Sequence, residues 1–199
     1  MKSIDIKGTA RTETGKKATK LIRKEGNVPC NLYGEARGED GLPVAKSFTV
    51  TAAGLRNLVY SPEIFSVNLD IDGVLHTAVM RELQFHPVTD QLLHVDFYEV
   101  TPEKPIIMEV PIKLNGLAEG VKAGGKLAAN VRKLKVRAPY TQIPERLDID
   151  VTNLGLGKTI KAGELQFEGL ELVTPASVVV CQVKMTRSAM SAAAKAQQE

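Results

Sequence analysis

Apolar and polar positions alternate with period two over most of the chain, and two stretches of helical period interrupt the pattern. Ile4 and Ile6 are the inward positions of a strand from Ser3 to Lys7, and Val28 to Tyr33 reads as a short strand. Phe65, Val67, Leu69 and Ile71 form an unbroken alternating series that stops at Asp72-Gly73, a type I′ hairpin dipeptide. Val74 to Glu82 is the expected returning strand. Leu92 to Val100 is another, with His94, Asp96 and Tyr98 on one face and Leu93, Val95 and Phe97 on the other.

The first helical stretch is GKKATKLIRKEG, residues 15 to 26. On a helical wheel Lys16, Lys17, Lys20, Arg23 and Lys24 fall within about 120° of arc, and Ala18, Leu21 and Ile22 fall opposite them. Thr14 is the expected N-cap, and Gly26 is placed to close the helix in a left-handed conformation. The second stretch, TAAGLRNLVYSP at 51 to 62, brings Ala52, Leu55, Leu58 and Val59 to one side and stops before Pro62.

After Val100 the texture changes. TPEKP, residues 101 to 105, is a linker or boundary composition. Beyond it the chain is Gly-rich and alternating, with strands expected at Ile107 to Leu114, Asn130 to Ala138, Arg146 to Val151 and Ser177 to Met185. The expected organisation is a first domain at 1–100, a second, β-rich domain at 101–186, and a frayed or disordered tail at 187–199, whose RSAMSAAAKAQQE has no apolar face to bury. The fold class is mainly β with a few helices (α+β).

With 43% hydrophobic residues in 199, the chain has the apolar content of a folded protein. The first twenty residues are polar, with no signal-peptide core, and no run of about 18 apolar residues suggests a membrane span. Cys30 and Cys181 make no CxxC pair or disulfide framework. A cytoplasmic protein follows as the expectation. The net charge of +3 is too mild to diagnose a polyanion binder by itself. Its distribution says more: five cations lie between Lys16 and Lys24, so one helix carries more than the chain's whole excess, and no acid interrupts residues 14 to 24. A solvated helix usually mixes signs. A continuous cationic face suits the phosphate backbone of a nucleic acid.

His94 and Asp96, at i and i+2 of a strand, face the same way. They form a structural pair, a polar patch for nucleic acid, or, ranked last, a general base with its orienting carboxylate. No nucleophile elbow accompanies them, and His76 and His86 add no metal-ligand spacing. GLGKT at 155 to 159 is not a nucleotide loop, because the required earlier glycine is Thr152. Lys133, Lys135 and Arg137 give one strand a basic outer face, read first as solvated surface.

RTETGKKATKLIRKEGNVPCNLYG (11 to 34) and LQFHPVTDQLLHVDFYEV (83 to 100) together resemble the bacterial large-subunit ribosomal protein twenty-five family in its long, Ctc-type form. GVKAGGKLAANVRKLKVRA and IPERLDIDVTNLGLGKTI extend the resemblance over nearly the whole chain except the tail. It implies an N-terminal six-stranded-type β-barrel with two helices that binds 5S ribosomal RNA, followed by a second β-rich domain facing neighbouring ribosomal RNA or protein. It also implies RNA contacts at Arg11, Lys16, Lys17, Thr19, Lys20 and Arg23, then at Tyr33, Gln84 and His86, and at His94 and Asp96. No catalytic residue, metal, cofactor, small-molecule substrate or membrane partner is implied. Lys20 and Leu21 stand where family members often carry an Arg pair, and Cys30 stands where Ala is usual. The alternatives are a stress-associated adaptor working through its second domain and a hydrolase built on His94 and Asp96.

Overall fold

The structure is a computed structural model that describes residues 1–34 and 44–186. The expected tail at 187–199 lies outside the described residues. By packing, the chain divides into residues 1–106 with 139–145, and residues 107–138 with the chain from Arg146 onward.

The first unit holds β1 (Lys2–Ala10), α1 (Lys16–Lys24), β2 (Asn27–Tyr33), β3 (Lys46–Thr51), α2 (Ala52–Val59), β4 (Phe65–Ile71), β5 (Val74–Phe85) and β6 (Leu92–Glu99). Its six strands close into a barrel in the order β1-β3-β2-β6-β5-β4, sealed by the parallel β1–β4 pair. Closure leaves no free sheet edge. Alternation sends Val28, Cys30, Leu32, Phe48, Val67, Leu69, Val95 and Phe97 inward, where Phe48 and Phe97 meet at 5.8 Å between ring centroids. α2 adds Leu55 and Leu58 to this core, and Thr51 caps it by accepting the Gly54 amide.

The β4–β5 turn follows the sequence expectation, since Asp72 and Gly73 both take positive φ, 49° and 87°. β3 was not foreseen. KSFTVT offers only Phe48 and Val50 as inward positions and runs straight into α2, so it reads as the approach to that helix. β5 runs past Glu82 to Phe85 because the register slips between Met80 and Glu82, which leaves Arg81 and Glu82 both exposed and breaks the alternation.

The second unit holds β7 (Pro105–Asn115), α3 (Glu119–Lys122), β8 (Lys126–Ala129), β9 (Lys133–Pro139), β10 (Leu147–Asp150), β11 (Thr159–Lys161), β12 (Glu171–Leu172) and β13 (Val179–Lys184). They form a four-stranded sheet ordered β10-β7-β9-β12 and a three-stranded sheet ordered β11-β13-β8. The strand expected over Asn130 to Ala138 starts only at Lys133, as β9, and β8 just before it belongs to the other sheet. Between them the Asn130 and Val131 amides both donate to the Val180 carbonyl, and Arg132 accepts from Ile112. In GLGKT, Gly157 donates to Val183 and Lys158 to Gly155, so these amides serve the fold. Both cysteines are buried and free, and burial pushes the Cys30 thiol up to about 12.

Candidate nucleic-acid interface

Helix α1 begins at Lys16, one residue later than a Thr14 cap requires. The N-cap is Gly15, and no side chain caps the helix. Thr19 fastens the first turn instead, its hydroxyl donating to the carbonyls of Gly15 and Lys16 at 3.0 and 3.2 Å. The C-terminus closes on Gly26 at φ 80°, as the sequence suggests, and the Gly26 carbonyl accepts the Ala52 amide.

The helix buries none of its residues, and Leu21, on the apolar side of the wheel, is 56% exposed. Ala18 and Ile22 are only half-buried. Lys16, Lys17, Lys20 and Lys24 are exposed and make no ion pair among the described residues. An amphipathic nine-residue helix covered so little by its own fold presents a face that is still open. α1 packs on β2, where consecutive residues Val28, Pro29 and Cys30 are all buried. Arg23 anchors it to the next strand by donating from Nε to the Leu93 carbonyl at 3.0 Å.

That bond sets the basic helix beside the outer face of β6. There the cross-strand register brings Gln84 opposite His94, and places Glu82 and Asn31 on the two sides of Asp96. Ser47 donates to Asn31 Oδ1 at 3.1 Å and extends this polar row onto β3. His94 Nδ1 lies 3.5 Å from Asp96 Oδ1, too long for a strong hydrogen bond. Burial lowers the His94 pKa from its ordinary value, Asp96 opposes that shift, and the cations Arg11 and Arg23 reinforce it. This shift favours the neutral imidazole, which offers one donor and one acceptor.

Tyr33 continues the face at the end of β2, edge-on to Tyr98 at 5.9 Å, and burial raises its pKa. The next residue must be glycine, because a Cβ on Gly34 would lie 2.6 Å from the Glu99 side chain. Arg11 follows β1 with its amide on the Ser47 carbonyl. Its Nε and Nη1 are buried and meet no hydrogen-bond partner among the described residues. His86 is differently employed: its Nδ1 accepts the Val88 and Thr89 amides at 3.3 and 3.2 Å, which fixes the Nε2–H tautomer and shapes the 86–91 turn.

The structure thus gathers His94 and Asp96 of β6 and Gln84 of β5 on one face of the sheet, with α1 tied to it through Arg23. Thr19 and His86 spend their polar atoms partly on their own backbone. Asn31, Ser47 and Glu82 share the face and were not singled out from sequence; outward phase was the available signal for Asn31, whereas Ser47 lies on the unforeseen β3 and Glu82 beside the register slip. His76 belongs elsewhere, held between Glu99 at 2.7 Å and Lys46 at 3.2 Å. Among the described residues no cluster of three His, Cys, Asp or Glu is placed to hold a metal ion, and no helix is long and apolar enough to cross a membrane.

Comparison with known proteins covers both units. The model of the Ribosomal L25p family matches residues 6–97, and that of the ribosomal protein TL5 C-terminal domain matches residues 105–187. The chain is 62% identical over 196 residues to the large ribosomal subunit protein bL25 of Phocaeicola vulgatus, covering 98% of this chain and 99% of that one. Its identity to the bL25 of Bacteroides thetaiotaomicron is 58% over 201 residues (98% and 99% covered), and to that of Porphyromonas gingivalis 55% over 198 residues (99% and 100%).

Proposed function

The chain belongs to the Ribosomal L25p family, in the form that carries a TL5-type C-terminal domain, and on that premise we propose that it binds 5S ribosomal RNA through α1 and the adjoining face of β6. It is a structural constituent of the large subunit of the cytoplasmic bacterial ribosome and not an enzyme. The observation that carries the RNA reading is the open, acid-free cationic face of α1, which its own fold leaves uncovered.

The division of labour follows from the chemistry. Lys16, Lys17, Lys20 and Arg23 neutralise phosphates and release counterions, which supplies affinity without sequence information. His94, Asp96 and Gln84 offer fixed donors and acceptors to ribose hydroxyls and base edges in an RNA minor groove, where shape and the 2′-OH are read. Asp96 accepts only, so it repels phosphate and rewards a hydroxyl or a base amine. The unmet donors of Arg11 lower the cost of turning its guanidinium onto an incoming acceptor. Tyr33, already edge-on to Tyr98, gives a rigid ring at the margin of the face. Footprinting of the purified protein on 5S ribosomal RNA tests the reading. Protection confined to one internal loop is expected; weak, uniform protection would reduce the contact to non-specific charge attraction.

A further inference from the structure

Beside the C-terminal end of α1 lies a cavity of about 310 Å³ that the proposed RNA face does not use. Its floor is apolar, formed by Leu55 and Val59 of α2. Two guanidiniums line it: Arg23, whose Nε is already fixed on Leu93, and Arg56, which is exposed and makes no ion pair among the described residues. Tyr60 completes the wall. It is 66% exposed, and Phe85 braces it at 6.4 Å between ring centroids, so the ring is held in place with much of its surface still in water. Asp90 and Gln91 also line it.

The combination is specific. An exposed ring beside two arginines attracts a ligand that is planar in one part and anionic in another. The volume sits at the small end of the roughly 300–1,000 Å³ range of ligand sites, which suits a single nucleotide. Arg23 belongs both to this cavity and to the cationic face of α1, so a polyanion lying along the helix reaches the cavity without a break.

We propose that this cavity takes one unstacked nucleotide of the RNA that α1 binds, with the base against Tyr60 and the phosphate on Arg23 and Arg56. The proposal rests on the RNA reading above. Gln91 and Asp90 then meet the edge of the base, Asp90 as an acceptor for its N–H groups. RNA-binding surfaces obtain specificity by holding such splayed bases on aromatic rings.

The test uses the full chain and 5S ribosomal RNA. Tyr60→Ala and Arg56→Ala are each expected to weaken binding by about tenfold without moving the melting temperature, since both side chains are exposed. Ultraviolet crosslinking, read as reverse-transcription stops, is expected to give one stop that disappears in Tyr60→Ala. Unchanged affinity and stops in both variants, with binding still lost on reversing Lys16 and Lys20, overturns the cavity and leaves the RNA reading standing. Failure of the unmodified protein to bind the RNA overturns both. A crosslink from Tyr60 to a protein in intact large subunits also overturns the proposal, in favour of a protein occupant.

Discussion

Each unit carries a basic stripe, and the two stripes are built differently. On α1, Lys16, Lys17, Lys20 and Lys24 are exposed and make no ion pair among the described residues. On β9, Lys133, Lys135 and Arg137 alternate with the buried Leu134, Val136 and Ala138. There Lys135 lies 3.8 Å from Glu109 of β7, and Arg137 lies 3.8 Å from Glu171 of β12. Counting cations would rank the stripes together. Their surroundings separate them, because an interleaved carboxylate cancels the local field that draws in phosphate and adds its own repulsion. The strand stripe is the pattern of a solvated sheet face, where exposed pairs contribute about 0–1 kcal/mol. The helix stripe is suited to a polyanion.

The largest expected effects come from the cores beneath these faces. Phe97 is fully buried in the barrel between the outward residues Asp96 and Tyr98. Phe97→Ala should cost about 3–5 kcal/mol in chemical denaturation and remove the platform for His94 and Asp96. Leu134 is as completely buried under the β9 stripe, and Leu134→Ala should cost about 2–5 kcal/mol. The two losses are comparable in stability and should differ in consequence. RNA affinity collapses with Phe97→Ala and stays within about twofold with Leu134→Ala in a filter-binding assay under folded conditions. A matching collapse with Leu134→Ala would erase the distinction between the stripes.

Charge reversal addresses the faces directly. Lys16→Glu with Lys20→Glu should weaken 5S RNA binding by about a hundredfold or more, whereas Lys133→Glu with Lys135→Glu should change it by less than about threefold. Salt dependence sharpens this further. If about five cations meet phosphates, log affinity falls against log salt with a slope of roughly −3.5 to −4.5. Neutralising Lys16 and Lys20 should lift that slope by roughly 1.4–1.8, and neutralising Lys133 and Lys135 should leave it in place. A shallow slope in the unmodified protein would break the phosphate account altogether.

The helix stripe was legible in the sequence because its signal is local: nine residues, one period and a run without acids. β4, β6 and the Asp72-Gly73 turn were legible for the same reason, each setting its geometry from its own alternation or its own φ angles. What escaped depends on partners distant in the chain. The bulge at Arg81 that carries β5 on to Gln84 exists only in register with β6, so the facing of Gln84 and His94 is a tertiary fact. His86 looks like a free imidazole until the fold shows two amides on its Nδ1. β11 and β12, three and two residues long, are too short to show a period. The acids that neutralise the β9 stripe lie 26 and 34 residues from their partners and are invisible in a window around Lys135 and Arg137.

The smallest expected effect separates the two units by pH. In the barrel, burial holds the His94 pKa below its ordinary 6.5, with Arg11 and Arg23 adding to the shift and Asp96 and Glu82 opposing it. The folded form therefore takes up a proton less readily than the unfolded chain. The stability tied to this group is complete above about pH 6.5 and is lost progressively as pH falls below it, toward the lower folded pKa. In the second unit, the hydroxyl and amide of Thr152 hold the Asp150 carboxyl below its ordinary 3.8. That contribution is present above about pH 3.8 and is lost only on further acidification. Acid titration followed by backbone NMR should therefore loosen residues around His94 first, with the turn at Asp150 persisting to lower pH. His94→Gln should remove the early step from the barrel signals and leave the late one. Because a bound polyanion favours the imidazolium, saturating RNA should oppose the lowering of the His94 pKa and shrink the early step. An early step that ignores both the substitution and the RNA would place its origin outside the His94 face.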